Sequence, residues 1–197
     1  MEILKDLSAC MIYVSTDFVF DGKKEVSYKE DDNTNPLGVY GKTKLEGEKV
    51  VRELLSRYAI VRTSWLYGEG GKNFVNTILK KGKNEKILQV IEDQVGSPTY
   101  TKDLAYAVEK LAGMKDIFKC ETFHISNSGQ CSWYGFAEEI LKNNNDVKIE
   151  SIPSERLDRP ATRPKFSVLD ISKFEKATNY KMRSWQEALR EYLEGNQ

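Results

Sequence analysis

Short apolar runs rich in β-branched and aromatic residues alternate along this chain with longer stretches of helical periodicity, and that alternation constrains the fold more than any other feature. Met11-Ile12-Tyr13-Val14 and Tyr58-Ala59-Ile60-Val61-Arg62 each read as a buried strand. Between them, Leu45, Val50, Val51, Leu54 and Leu55 recur at helical spacing. They predict a helix from Asn35-Pro36, read as an N-cap followed by proline in the first turn, to about Arg57. The pattern repeats with a helix carrying Phe74, Val75, Ile78 and Leu79, and a strand over 86–91. A helix with Leu104, Ala105, Val108 and Leu111 follows, capped by Thr101, and then a strand over 122–125. A short helical piece around Ile3, Leu4 and Leu7 precedes the first strand. Strands separated by helices of about 10–15 residues indicate βαβ units, a parallel sheet and the α/β class.

The pattern loosens after that. Ser132 opens a helix through Ile140-Leu141, a strand is expected over 147–152, and a stretch rich in Pro and Arg runs from Pro153 to Pro164. Ser184-Trp185-Gln186-Glu187 has the form of a capping box, opening a helix with Leu189, Tyr192 and Leu193 inward and Gly195 as its stop. Thirty basic residues balance 30 acidic ones, for a net charge of zero, which argues against nucleic acid or an anionic membrane as partner. The longest apolar run, Ala9 to Val14, is far below the roughly 20 residues of a membrane-spanning helix. Three cysteines without a CxxC imply neither a disulfide framework nor a metal knuckle. They are expected as small buried hydrophobes in a reducing, cytoplasmic setting.

The chemistry concentrates in Tyr40-Gly41-Lys42-Thr43-Lys44. Tyr40 and Lys44 stand one helical turn apart and share a face. A phenol titrates near 10 and exchanges protons poorly at neutral pH, and a neighbouring ammonium favours its ionised form. The pair is therefore a way to make a general acid–base from tyrosine; by itself it is a weak signal and reads more readily as a solvated helix face. Two flanking signals favour chemistry. Ser15-Thr16-Asp17 ends the first strand and Arg62-Thr63-Ser64-Trp65 ends the second, at the carboxyl edge where open α/β sheets bind ligands.

Ser15-Thr16-Asp17-x-Val19-Phe20-Asp21-Gly22, Tyr40-Gly41-Lys42-Thr43-Lys44-Leu45-x-Gly47-Glu48 and Arg62-Thr63-Ser64-Trp65-x-Tyr67-Gly68 together resemble the dTDP-4-dehydrorhamnose reductases, extended short-chain dehydrogenases. Asp93-Gln94-x-Gly96-Ser97-Pro98-Thr99, Arg163-Pro164 and Trp185 fit the same family. The resemblance implies the C-terminal part of a doubly wound Rossmann-type sheet over 1–130, with a small substrate-binding lobe over 131–197 interleaved with it. It implies Tyr40 as proton donor to a C4 carbonyl, Lys44 tuning Tyr40 and binding the nicotinamide ribose, and Thr16 hydrogen-bonding the C4 oxygen. Asp17 would contact the sugar and Trp65 line its site. The implied cofactor is NADPH or NADH, and the implied substrate a dTDP-sugar, dTDP-4-dehydro-6-deoxy-L-mannose, reduced to dTDP-L-rhamnose.

The family's Gly-rich phosphate turn has no counterpart in the sequence, and Gly70-Gly71 lies downstream. Three expectations follow. The N-terminal half of the cofactor cradle is missing. The strand at Met11 becomes a sheet edge with a bare face near Ile12 and Val14. The chain self-associates through that edge or takes a complementing half. The rival readings are a sugar-nucleotide epimerase or dehydratase, a non-catalytic sugar-nucleotide-binding or regulatory subunit that keeps the fold, and a truncated product with no activity of its own. Dehydratases follow Thr-Asp with Glu, and here Phe18 follows, which favours simple reduction. Asn73 either touches substrate or caps a helix. Arg163 either reaches a diphosphate or is a surface arginine. His124 is read as a structural strand residue, and Lys80-Lys81-x-Lys83 as a solvated helix end.

Overall fold

The computed structural model describes residues 10–114, 119–144, 146–157 and 161–195. In chain order its elements are β1 (Met11–Thr16), α1 (Val39–Leu54), β2 (Tyr58–Thr63), β3 (Leu66–Tyr67), α2 (Phe74–Asn84), β4 (Ile87–Ile91), β5 (Val95–Gly96) and β6 (Thr99–Tyr100), followed by α3 (Thr101–Ala112), β7 (Glu121–His124), β8 (Cys131–Ser132), α4 (Trp133–Ile140), β9 (Lys148–Ile152), α5 (Ser172–Thr178) and α6 (Trp185–Glu194). The helical piece expected around Ile3 lies outside the described residues.

β1, β2 and β7 form a parallel sheet in that order, with Met11 opposite Tyr58, Thr16 opposite Thr63 and Arg62 opposite His124. Every residue of β2 is buried, as a central strand covered on both faces requires. Tyr58 and Ile60 point to α1, where they meet Val51 and Leu55. Ala59 and Val61 point the other way, onto Leu104, Ala107 and Leu111 of α3 and Phe174 of α5. The doubly wound arrangement thus follows from the period-two alternation along one strand. A second core joins β4, paired in parallel with β9, to α2, α4 and α6 through Ile78, Leu88, Phe136, Ile140 and Leu189. The capping box at Ser184 is present and Gly195 ends α6.

Several local expectations need correction. The first helix starts at Val39 behind Gly38, not at Pro36. Asn35 is occupied elsewhere, donating its amide to Val19 O and its side-chain nitrogen to Asp21 Oδ2, and so holds the loop before the helix. Val50 and Leu54, expected inside, are 41% and 39% exposed, whereas Glu48 is buried. The sheet-facing stripe of α1 runs through Glu48, Val51 and Leu55, because an ion pair with Arg62 satisfies Glu48 there. The N-cap of α3 is Tyr100 rather than Thr101. The strand over 86–91 joins β9, not the main sheet. Cys120 is exposed rather than buried, donating its thiol to Ser56 O. Among the described residues β1 pairs only with β2, and Val14 is 41% exposed.

Candidate functional site

The register that sets Thr16 beside Thr63 ends β1 and β2 at one level, and the chain turns there into a cleft of about 340 Å³. Thr16 starts a single 3-10 turn over Asp17–Val19, its hydroxyl accepting from Phe18 N at 3.2 Å and donating to Asp17 Oδ1 at 3.0 Å. The first turn of α1 lies directly against this turn. A Cβ on Gly41 would stand 2.1 Å from Phe18 O, so only glycine allows the approach. That approach brings Tyr40 and Lys44 to the same cleft as Thr16 and Asp17.

Tyr40 is 57% exposed, with Phe18 edge-on to its ring at 6.0 Å. Lys44 Nζ donates to Val14 O at 2.6 Å and sits 4.5 Å from the centre of the Tyr13 ring, while Tyr13 Oη donates to Lys44 O at 3.3 Å. One turn further along α1, Glu48 accepts from Arg62 Nε at 2.9 Å, from Arg62 Nη2 at 2.7 Å and from Ser15 Oγ at 2.6 Å. Burial opposes ionisation of Glu48, but Arg62 outweighs it and holds the carboxyl below its ordinary range. This clamp ties the helix bearing Tyr40 and Lys44 to both strands that end in the cleft.

Two buried polar atoms beside the cleft, Asp17 Oδ2 and Thr63 Oγ1, have no hydrogen-bond partner. Burial pushes Asp17 up to about 6, against the opposing effect of the Ser167 and Thr16 hydroxyls. Trp65 adopts φ 46°, a strained left-handed conformation for an aromatic residue, and stacks on Trp133 at 3.5 Å with 5° between planes. Behind it, a Cβ on Gly96 would stand 2.4 Å from the indole, so backbone forms the floor. The Asp93–Thr99 segment therefore supports Trp65, with Ser64 Oγ donating to Ser97 O at 2.7 Å and Asp93 accepting from both the amide and the hydroxyl of Ser154.

Arg163 lines this cleft and a neighbouring one of about 490 Å³, walled by Phe74, Leu88 and Val90, and Trp133 stands at the junction of the two. Asn73 is placed elsewhere. Its Oδ1 caps α2 by accepting from Asn76 N, and its amide donates to Gly68 O at 2.8 Å. His124 is fully buried in β7, with Nδ1 3.0 Å from Tyr28 O, and burial holds it down at about 3. The Lys80–Lys83 segment ends α2, with Lys81 3.9 Å from Glu85. A larger cleft of about 630 Å³ between α2, α4 and α6 is lined by Leu79, Lys83, Leu189 and Arg190 and brings together no comparable acid–base set. Sequence reasoning missed Trp133 and Thr63 as site residues. Trp133 opens a helix 68 positions after Trp65, and no local spacing links them.

Residues 2–197 match the family model described as the RmlD substrate binding domain. The chain belongs to this family. The spore coat polysaccharide biosynthesis protein SpsK of Bacillus subtilis (strain 168) is 44% identical over 95% of this chain and 65% of its own length. The dTDP-4-dehydrorhamnose reductase of Clostridium acetobutylicum ATCC 824 superposes with a TM-score of 0.91 at 44% identity, over 98% of this chain and 68% of that one. The Bacillus anthracis str. Ames reductase, solved in complex with NADP, gives 0.90 at 37% identity over the same shares. The chain thus spans about two thirds of the length of these relatives.

Proposed function

We propose that this chain carries the proton-delivering edge and the sugar-nucleotide lobe of an NADPH-dependent dTDP-4-dehydrorhamnose reductase. The observation that carries the reading is the convergence of Thr16, Tyr40 and Lys44 on one cleft, which meets a second cleft at Arg163. Arg163 has no hydrogen-bonded or ionic partner among the described residues, so its guanidinium is available to a diphosphate, bidentately. The sugar would then lie over Thr16, Asp17 and Trp65, and the base would enter the apolar cleft at Phe74, Leu88 and Val90. Asn73 has no part in this reading, because its side chain is spent on α2.

The residues fit the nicotinamide end of the cofactor only. Lys44 is held by Val14 O at the cleft, in reach of a ribose hydroxyl, and Tyr40 stands open beside it. The pyrophosphate's Gly-rich turn has no counterpart in the sequence. We propose that this part of the site comes from outside the described residues. When bound, NADPH supplies the hydride. The chain's own work is to orient the ketone, exclude water with the Trp65–Trp133 plate and deliver the Tyr40 phenolic proton to the developing alkoxide.

Phe18 favours reduction over the dehydratase reading, because a ring packs edge-on to Tyr40 where elimination would need a second acid. Self-association through the β1 edge is part of the proposal, supported by the unpaired edge of β1 among the described residues and the exposure of Val14. So is a cytoplasmic setting, supported by three free cysteines. Isothermal titration of the chain with a dTDP-sugar and, separately, with NADPH tests the reading. Expected are dTDP-sugar binding and much weaker NADPH binding. Tight NADPH binding without dTDP-sugar binding would overturn it.

A further inference from the structure

The Thr16 hydroxyl has one hydrogen, and the structure spends it on Asp17 Oδ1 at 3.0 Å. One lone pair of the same oxygen is occupied by Phe18 N–H. With Asp17 ionised, Thr16 therefore offers the cleft a lone pair and no proton. A ketone oxygen, or the alkoxide it becomes, needs a donor. Resting on the reading of this cleft as a carbonyl-reducing site, we propose that Asp17 is a positioning residue that sets the direction of the Thr16 hydrogen bond: protonated Asp17 donates to Thr16 and frees its hydrogen for a substrate carbonyl, whereas ionised Asp17 turns Thr16 into an acceptor suited to a substrate hydroxyl.

Geometry decides where the proton sits. Oδ2 is buried and makes no hydrogen bond of its own, and the hydroxyls that act on the carboxyl are those of Thr16 and Ser167. A proton on Oδ1 faces Thr16 Oγ at hydrogen-bond distance, and the pair simply reverses. Thr16 Oγ then accepts from Phe18 N and from Asp17, filling both lone pairs, and its own hydrogen can turn only outward. Asp17 is 2% exposed, so it reaches a ligand through Thr16 rather than directly. Burial places its titration near 6, within an ordinary working range. The titratable and charged groups that line the cleft with it are Tyr40 and Lys44 from α1 and Arg163 from the segment after β9, and the neutral hydroxyl of Ser167 bonds it. From β1 and β2 the cleft takes Ser15 and Thr63, and Ser15 is bonded to the paired Glu48 and Arg62.

The test compares two probes from pH 5 to 7.5, dTDP-4-keto-6-deoxy-D-glucose and dTDP-D-glucose, on the chain and on Asp17→Asn. Neither sugar nucleotide has a terminal phosphate to titrate in this range. The expected result is that affinity for the keto-sugar falls about five- to tenfold as pH rises, the scale of one hydrogen bond, while affinity for the hydroxy-sugar does not fall. Asp17→Asn, whose amide donates to Thr16 at every pH, keeps the acid-form ratio throughout. A keto-to-hydroxy ratio that is flat in the natural chain, or that still changes with pH in Asp17→Asn, overturns the switch while leaving the site reading intact. If neither probe binds at any pH, the site reading fails. The switch is then decided by the carbon-13 shift of Thr16 Cβ in the free chain. A titration with midpoint near 6, absent in Asp17→Asn, upholds it, and no titration at Thr16 overturns it.

Discussion

Lys44 Nζ donates to the carbonyl of Val14 at 2.6 Å, so the cation beside Tyr40 is fixed by the backbone of the strand on whose edge the site is built. The bond spans 30 positions in sequence and converts a helix-face motif into a defined geometry. Tyr40, one turn earlier, lines the same cleft.

In a form complemented with the cofactor-binding half, Tyr40→Phe should lower kcat by roughly 10²–10⁴-fold with KM little changed, because the lost interaction is realised in proton transfer. Single-turnover kinetics check this. A Phe variant with near-normal turnover would remove Tyr40 from the acid role.

Glu48→Gln should destabilise the chain by about 3–5 kcal/mol, since it leaves the buried Arg62 guanidinium without its counter-charge. Replacing both partners with apolar residues should cost less than the single change. Urea denaturation of the single and double variants measures both, and equal losses would contradict the coupling.

The pH dependence of stability carries two opposed slopes. Asp17 releases its proton near 3.8 when unfolded and near 6 when folded. Between those values the native state binds more protons, so stability falls as pH rises, by roughly 3 kcal/mol in all. His124 is held down from 6.5 to about 3, so its contribution is present above 6.5 and lost as pH falls toward 3. Asp17→Asn removes only the first slope. The variant should therefore gain on the natural chain between about pH 4 and 6, and denaturation at pH 4, 5, 6 and 7 reads the difference. A constant offset would show that Asp17 does not titrate there.

β1 presents an unpaired edge among the described residues with Val14 41% exposed, and such edges recruit other strands. Sedimentation over a concentration series should show association that Val14→Lys weakens. A monomer at every concentration would show that the edge is covered.

The main elements were legible because the strands are short unbroken apolar runs, as in Tyr58–Thr63, and the helices carry a 3.6-residue period, as in Phe74–Asn84. Boundaries were legible only where a side chain acts locally, as at Ser132 and Ser184. Pro36 misled because Asn35 is bonded back to the loop at Val19 and Asp21, so the helix waits for Gly38. Val50 and Leu54 misled because an apolar stripe was assumed to face inward, while a buried ion pair at Glu48 took that place. In the site, Thr16, Tyr40, Lys44 and Trp65 were readable from short motifs. Trp133 was not, because its place against Trp65 is made by tertiary packing alone.

The central claim is that a dTDP-sugar occupies the cleft between Thr16, Tyr40 and Trp133. Titration of the nitrogen-15-labelled chain with a dTDP-sugar tests it most directly. The account predicts saturable shifts at the amides of Thr16, Asp17 and Ser64 and at the indole N–H groups of Trp65 and Trp133, weakened by Arg163→Ala. Shifts confined to the larger cleft around Leu79, Leu189 and Arg190, or none at millimolar ligand, would contradict it.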